Sequence, residues 1–552
     1  MTGSAPTDGR KWHELPALIA ASLAALAYFA SIQFHVSEPI DFDVYYHLAV
    51  TRELFANGPL QSFPWGPYSI VSEKFADKEF LFHVILGAVY QLPVTQAARF
   101  GALMGQAFII FALAFALWRL RVREAWAFML LLTALGSALA VRLAMCRPHL
   151  WGIGFSVLII WMLVSRVRPA ALFVAAMLYS LFHTGGWIAA FYAGVWVFWG
   201  LVPGLAGGVD ENGGNGRVSF RTLLRRFDWK PLVAVIAGWT AGQVIHPNFP
   251  VNFHLFFVQN VLVPFHTTAA GNQALRVALG GELHVPGLRI VVMQWPVYLV
   301  VAASLAWLVV SREVRTRPVL TAATIALAFC IVSSTVMRRL YEMAAPFSVL
   351  ALGLTWKTWL ASRAEAGNPF RVLPRHAAMA LAVILPVTGY FAHDARKQAP
   401  PASPPHAMAQ WMAATVKEPQ KIFTAQWADS APLLYFAPWL TTLVALDPTF
   451  FYAKDRELFI HYVDIVLGKT RRPVDSVLGK FDARYVTLWK LPAFYRFSKQ
   501  LEADHRARKV FEDRTYQVWL LDPDAPPREP GERKERRERR RPPGPLAPPQ
   551  EP

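Results

Sequence analysis

Two aspartates, two tyrosines and a histidine fall between residues 41 and 47 in the stretch SEPIDFDVYYHLAVTRELFANGPLQSFPWGPY (37–68). Asp41 and Asp43 are two apart, so in an extended segment both carboxylates point the same way. From Asp43 onward, DVYYHLAVTRELFANG carries helix signals: an aspartate at the N-cap, apolar residues at helical spacing, and Gly58 as terminator. His47 then lies one turn after Asp43, on the same face. Carboxylates beside an imidazole can take a proton from an acceptor hydroxyl or amide. Asp41 and Asp43 could instead hold a hard divalent cation such as magnesium or manganese. The plain alternative is that Asp43 only caps a helix while Asp41 and His47 are solvated. The residues alone leave these readings open.

The elements that must position this group are membrane helices. The chain has 552 residues, 54% of them hydrophobic and only 17% charged, against about 25% in ordinary soluble domains. Apolar runs of roughly 17 to 25 residues recur, each long enough to cross a bilayer core of about 30 Å. The expected fold class is mainly α: a polytopic transmembrane bundle of about 11 to 13 spans, followed by a small C-terminal soluble α/β domain. A formal charge of +18 would suit nucleic acid. However, the Lys and Arg residues gather in short connectors between apolar runs, as in membrane loops, so no nucleic-acid partner is expected. Cys146 and Cys330 both lie in or beside apolar runs and support neither a disulfide framework nor a zinc site.

The first run, 16–34, follows Arg10 and Lys11 and lacks a small-residue cleavage pattern, so it reads as a retained span with a cytoplasmic N-terminus. Further spans are expected near 79–92, 97–118, 124–145, 149–165, 169–182, 185–202, 231–246, 290–310, 318–336, 340–359 and 376–392. The basic connectors RLRVRE (119–124), SRVRP (165–169), RTLLRRFDWK (221–230), SREVRTRP (311–318) and RVLPRH (371–376) belong in the cytoplasm. That leaves Arg147, His149, His183, His246, the loop 247–289, Arg338–Arg339 and everything after 392 on the outer face. One parity conflict stands. If 79–92 crosses fully, RLRVRE falls outside; this short segment with its His83 therefore reads as partial or tilted.

Four regions follow: a transmembrane domain (1–396, with a first outer loop of about 36–78), a Pro-rich linker (397–406), an outer soluble domain (407–522) and a disordered basic tail (523–552). The strands of the soluble domain are expected at KIFTAQW, TTLVALD, ARYVTLW and YQVWLLD, with an amphipathic helix near 455–467. The glycines of GGVDENGGNG (207–216) have no strand–helix context for nucleotide phosphates and read as a flexible loop. Asp447 reads as a turn before a helix.

A first span followed directly by DFDVYYHLAVTRELFANG and FPWGPY resembles the first outer loop of the GT-C superfamily. These are polytopic glycosyltransferases using a polyprenyl-phosphate-linked sugar; the arrangement is similar to oligosaccharyltransferases and protein O-mannosyltransferases. SEKFADKEFLFHVILG (72–87), AMCRPHLWGIGFSVLIIW, LFHTGGWIA and MRRLYEMAAPFSVLA resemble later parts of the same plan. IFTAQWADSAPLLYFAP faintly resembles an acceptor-gripping Trp–Asp motif, although the Trp-Trp-Asp-Tyr-Gly form and a second Asp-x-Asp pair are absent.

The resemblance implies Asp41 and Asp43 as catalytic or metal-holding residues. It adds Tyr45, Tyr46, His47, Glu73, Lys74, Arg147, His149, His183, Arg338 and Arg339 as substrate contacts, with Asp77, Lys78 and Glu79 as further candidates. A lipid phosphate needs cations near the headgroup level, and arginine offers it paired donors. The expected partners are the bilayer, a polyprenyl-phosphate sugar and a protein, lipid or glycan acceptor. The expected location is a bacterial inner membrane, with the soluble domain extracytoplasmic. Two rivals remain: a transporter or flippase of a lipid or anionic solute, though no inverted repeat is visible, and a non-catalytic relative serving envelope assembly.

Overall fold

The computed structural model describes residues 14–202, 227–262, 285–370, 372–398 and 405–526. The expected loop at 207–216, part of the loop 247–289, most of the linker 397–406 and the tail beyond 526 lie outside the described residues. Two units result, one holding residues 14–63 and 70–398, the other residues 64–69 and 405–526.

The first unit is helical. Among the described residues, four of its helices are long and apolar enough to cross a membrane: Glu14–His35 (α1), Val94–Arg119, Arg317–Thr335 and Pro374–Gln398. Other apolar helices, His149–Val164, Pro169–Phe182, Val251–Leu262 and Trp295–Val310, are shorter. The polar chain after α1 forms a helix at Asp43–Asn57 (α2) and a second at Phe80–Leu86 (α3). With seven residues α3 is about 10 Å long and cannot cross a core of about 30 Å. The helix within 79–92 is therefore too short to be the full span expected there. The helix Val94–Arg119 (α4) follows.

The expected single span at 124–145 is two helices, Ala125–Thr133 (α5) and Ser137–Leu143 (α6), bent by 91°. Gly136 makes the bend with φ +124°, and a Cβ there would meet the Tyr341 hydroxyl at 2.9 Å. That hydroxyl donates to the Leu135 carbonyl, satisfying an acceptor that the break exposes. Next come His149–Val164 (α7) and Pro169–Phe182 (α8). Helix Lys230–Val244 packs tightly on α8 through a small-xxx-small pair: a Cβ on Gly238 would lie 2.2 Å from the Phe173 carbonyl oxygen, and one on Gly242 would lie 2.0 Å from Ser180 Oγ.

The second unit is built on a five-stranded sheet: Lys421–Thr424 (β1), Thr441–Thr442 (β2), Tyr485–Trp489 (β3), Ala507–Glu512 (β4) and Tyr516–Leu521 (β5). Its order is β2-β1-β3-β5-β4, with β1 parallel to β2 and β3 while β5 runs antiparallel to β3 and β4. Four strands match the β-branched and aromatic runs; β4, which is charged at three of its six positions, was not anticipated. Helix Arg456–Val466 fills the expected amphipathic stretch, and Asp447 caps helix Pro448–Lys454 by accepting from the Thr449 N–H. Met408, Met412, Ile422, Leu433, Tyr516 and Val518 form its core.

Residues 64–69, more than 300 positions earlier in the chain, complete the β2 side of this unit. Trp65 Nε1 donates to the Pro438 carbonyl at 2.6 Å, Thr442 N–H to the Trp65 carbonyl at 2.8 Å, and the Tyr68 hydroxyl to the Phe481 carbonyl at 3.0 Å.

Asp429, from the Trp–Asp stretch, is fully buried and accepts from the Thr487 and Tyr516 hydroxyls, each at 2.6 Å. It therefore faces the core of the unit and not an acceptor. Burial pushes its carboxyl up from 3.8 to about 7 despite both bonds. Between those values the folded state keeps a proton that the unfolded chain has lost. This contribution is most favourable below about pH 4, weakens as pH rises, and is fully lost above about pH 7. Asp429→Asn can keep both hydrogen bonds and stays neutral. Amide exchange across β3 should be slower in the variant than in wild type at pH 8, by at most about 4 kcal/mol in opening free energy, and nearly equal at pH 4.

Candidate active site

Helix α2 starts at Asp43 with Phe42 at the N-cap and no side-chain cap. Asp43 is thus the first helical residue, not the cap, and its carboxylate is used elsewhere. Arg147, between α6 and α7, reaches both acids. Its Nε and Nη2 grip the two oxygens of Asp41, Nη2 at 2.6 Å, and Nη2 also lies 3.0 Å from Asp43 Oδ2. This two-point geometry is the strong form of a charged hydrogen bond. The Asp41 side chain is 3% exposed and that of Asp43 is 23% exposed, so Asp43 is the carboxylate a substrate can meet. A divalent cation fits poorly where a guanidinium already answers both charges. Among the described residues no group of three or more His, Cys, Asp or Glu is placed to hold a metal.

A second polar string runs through the loop. Asp77 Oδ2 lies 2.7 Å from His83 Nδ1, and His83 Nε2 lies 2.9 Å from His47 Nδ1, all three residues being buried. Asp77 is held by its own backbone. Its N–H donates to Asn248 Oδ1 at 3.1 Å, its carbonyl accepts from His246 Nε2 at 2.8 Å, and its Oδ1 accepts from the Glu79 N–H at 3.1 Å. Asn248 N–H donates to His246 Nδ1, which leaves Nε2 as the protonated nitrogen of that ring. Burial, then His83 and the nearby Arg147, Lys78 and His149, holds the His47 imidazole well below its usual range. Burial raises Glu79 against the pull of Lys78, whose Nζ is 3.7 Å from Oε1. The Tyr46 hydroxyl is buried without a partner. Burial, followed by Asp77, Glu79 and Asp43, raises it well above the phenol range.

A third string starts at the other end of the bend. Arg142 of α6 donates through Nε to Glu342 Oε2 at 2.6 Å, where helix Tyr341–Glu365 begins. His149 Nε2 is 3.6 Å from the same oxygen, too far for a hydrogen bond. Both ring nitrogens of His149 are buried without a partner. Arg339 lies within electrostatic reach of Glu79, His149, His183 and Glu342. It is half-buried and makes no ion pair with a described residue.

The structure thus brings Asp41, Asp43, Arg147, His47, His149, His183 and Arg339 into one neighbourhood, together with Lys78 and Glu79. It does not bring in every expected contact. Glu73, Lys74 and Arg338 are exposed, and Tyr45 has no exposed surface, so its ring fills the interior. Three members went unassigned from the sequence. Arg142 was a lone cation inside an apolar run, a signal that marks function in membrane segments. Glu342 stood three residues past Arg339. His83 showed no signal beyond its place in a short apolar segment.

No protein-family model matches the sequence, and no curated protein matches it either. In three dimensions the chain is similar to the crystal structure of ArnT from Cupriavidus metallidurans in the apo state, with a TM-score of 0.51 and 17% identity, over 94% of this chain and 99% of that one. It is similar also to the cryo-EM structure of the arabinofuranosyltransferase AftD from Mycobacteria, with a TM-score of 0.50 and 14% identity, over 95% of this chain but only 40% of that longer one. At such identities the likeness is one of fold. The chain shares the fold of these two structures over nearly its whole length.

Proposed function

We propose that the protein is an integral-membrane glycosyltransferase that takes a sugar from a polyprenyl-phosphate-linked donor and gives it to an acceptor at the outer face. The observation that carries this reading is a half-buried arginine without an ion pair, Arg339, next to a buried histidine whose two ring nitrogens are unpartnered, His149. Buried donors of this kind are costly unless a ligand completes them, and arginine suits phosphate oxygens. The GT-C fold supports the same class of reaction.

In this reading the acceptor oxygen attacks the anomeric carbon and displaces the lipid phosphate, inverting the sugar. Asp43 receives the acceptor proton, and Asp41 with Arg147 keeps that carboxylate in place. Arg339, with His149 and His183, holds the phosphate as it gathers charge. Charge stabilisation comes from the arginine guanidinium and the imidazoles.

Sidedness follows from the basic connectors. With 79–92 in the loop, α1 leaves the cytoplasm, α4 returns to it, and residues 119–124 lie inside. If α5 with α6 crosses once, and so does each later expected span from 149–165 to 376–392, while Val251–Leu262 stays in the outer loop, every basic connector falls on the cytoplasmic side and the second unit lies outside. A reporter active only outside the cytoplasm, fused at about residue 405, should therefore be active; a fusion active only in the cytoplasm would overturn the placement.

Substitution separates the roles. Asp43→Asn keeps the shape but not the base, so envelope glycan output, read by mass spectrometry at matched expression, should fall by about 10²–10⁴. Arg339→Gln removes a charged bond to phosphate and should weaken binding of polyprenyl-phosphate in nanodiscs at least about tenfold. Arg338→Gln, at an exposed position, should change it little. Full glycan output from Asp43→Asn, or equal binding by the two arginine variants, would remove the corresponding role.

A further inference from the structure

Asp77, His83 and His47 form a buried line of hydrogen bonds whose chemistry assigns protons. An ionised carboxylate only accepts, so the His83 Nδ1 proton must point at Asp77 Oδ2, 2.7 Å away. In neutral His83 the other nitrogen, Nε2, then carries a lone pair. The bond of 2.9 Å between His83 Nε2 and His47 Nδ1 therefore takes its proton from His47. That leaves His47 Nε2, on the far side of its ring, with a lone pair and no donor among the described residues.

Three observations give this line a purpose beyond packing. Asp77 is fixed by three bonds: its N–H donates to Asn248 Oδ1, its carbonyl accepts from His246 Nε2, and its Oδ1 accepts from the Glu79 N–H. The His47 carbonyl accepts from Thr51 Oγ1 at 2.7 Å, and the same hydroxyl lies 3.4 Å from the His83 carbonyl, so the helices carrying the two rings are tied together. His47 also feels Arg147, Lys78 and His149, the groups gathered around the site described above.

We propose that Asp77 and His83 are positioning residues that hold His47 in its Nδ1-protonated form, so that Nε2 meets a substrate hydroxyl as a hydrogen-bond acceptor. This rests on the glycosyl-transfer reading for the identity of the substrate, a sugar-bearing lipid or a hydroxyl acceptor. The polar groups described around it are cations, carboxylates, other histidines and the Tyr46 hydroxyl, and the line from Asp77 fixes His47 Nε2 among them as a neutral acceptor. A fixed neutral acceptor distinguishes a hydroxyl from a phosphate oxygen, because only the hydroxyl can donate. His47 thereby selects the sugar or acceptor end of the ligand, while Arg339 takes the phosphate end. Burial, which keeps the imidazole uncharged, acts in the same direction.

The test uses the full chain in nanodiscs with ¹⁵N-labelled histidine, the His47 resonance being assigned by its loss in His47→Gln. Wild type at pH 8 should show His47 protonated on Nδ1 and bare on Nε2. In His83→Gln the amide oxygen accepts from Nδ1 as the imidazole did, so the tautomer and the envelope glycan output should both stay near wild type. His83→Leu offers no acceptor. It should shift His47 toward the Nε2-protonated form and lower glycan output at least about tenfold, the cost of one lost hydrogen bond of about 1.4 kcal/mol.

An Nε2-protonated His47 in wild type would mean that His83 donates to both neighbours and would overturn the proposal. So would unchanged output in His83→Leu despite a shifted tautomer. Absence of any glycan difference between cells with and without the chain would instead remove the glycosyl-transfer reading, and with it the substrate named here. The ¹⁵N spectra would then still decide the proton assignment independently.

Discussion

The grip of Arg147 on Asp41 and Asp43 is the contact on which the rest of this site depends. Charges this poorly hydrated must be paired, and removing one partner of such a pair typically costs about 3–5 kcal/mol. The pairing fixes where helix α2 starts, because Asp43 is its first residue and Asp41 lies just ahead of it. It also fixes the connection between α6 and α7, which carries Arg147. That connection arrives in place only because α6 turns by 91° at Gly136. The same turn sends Arg142 toward Glu342, while Tyr341, the neighbour of Glu342, bonds the carbonyl exposed at the turn. One glycine conformation thus serves two ion pairs and the start of a third helix.

Charge accounting then separates the structural cations from the available ones. Arg147 is matched by Asp41 and Asp43, Arg142 by Glu342, and Lys78 loosely by Glu79. Arg339 has no such match among the described residues. Glu79 and Glu342 act on it through space, without a direct ion pair. The histidines complete the division. An uncharged imidazole adds hydrogen-bonding capacity without adding to a crowded field of charge, and burial keeps His47 in that form.

Much of this was legible in the chain because local signals suffice for local structure. Helix α2 and its end at Gly58 followed from spacing and a terminator, and the backbone there indeed turns with φ +81°. The cap was misassigned because Asp, Asn, Ser and Thr signal an N-cap only statistically, and here Arg147 outcompetes the helix terminus for the Asp43 carboxylate. The bend at Gly136 was invisible because an apolar run around one glycine reads as a continuous span. Strand β4, ARKVFE, was hidden by its charges, which an edge strand carries without penalty. Least legible was the partnership of residues 64–69 with strand β2. It closes across more than 370 residues, and no window on the sequence spans that distance.

The contrast between fold and sequence likeness has a physical source. Helices in a membrane need apolar surfaces, small residues at close contacts such as Gly238 and Gly242, and satisfied backbone groups at breaks such as Gly136. Many sequences meet those demands, so two chains can match over 94% and 99% of their lengths at 17% identity. Chemistry is less forgiving, because it requires particular atoms within a few tenths of an ångström. The fold therefore says what kind of scaffold this is, and the activity has to be argued from the groups left unsatisfied on it. Among the described residues those groups are the Arg339 guanidinium, the His149 ring and the bare nitrogen of His47, with the ion-paired but partly exposed Asp43 carboxylate beside them. A cation unmatched among the described residues, a reachable carboxylate and a neutral acceptor are the groups that the proposed transfer of a sugar from a lipid phosphate to a hydroxyl calls for.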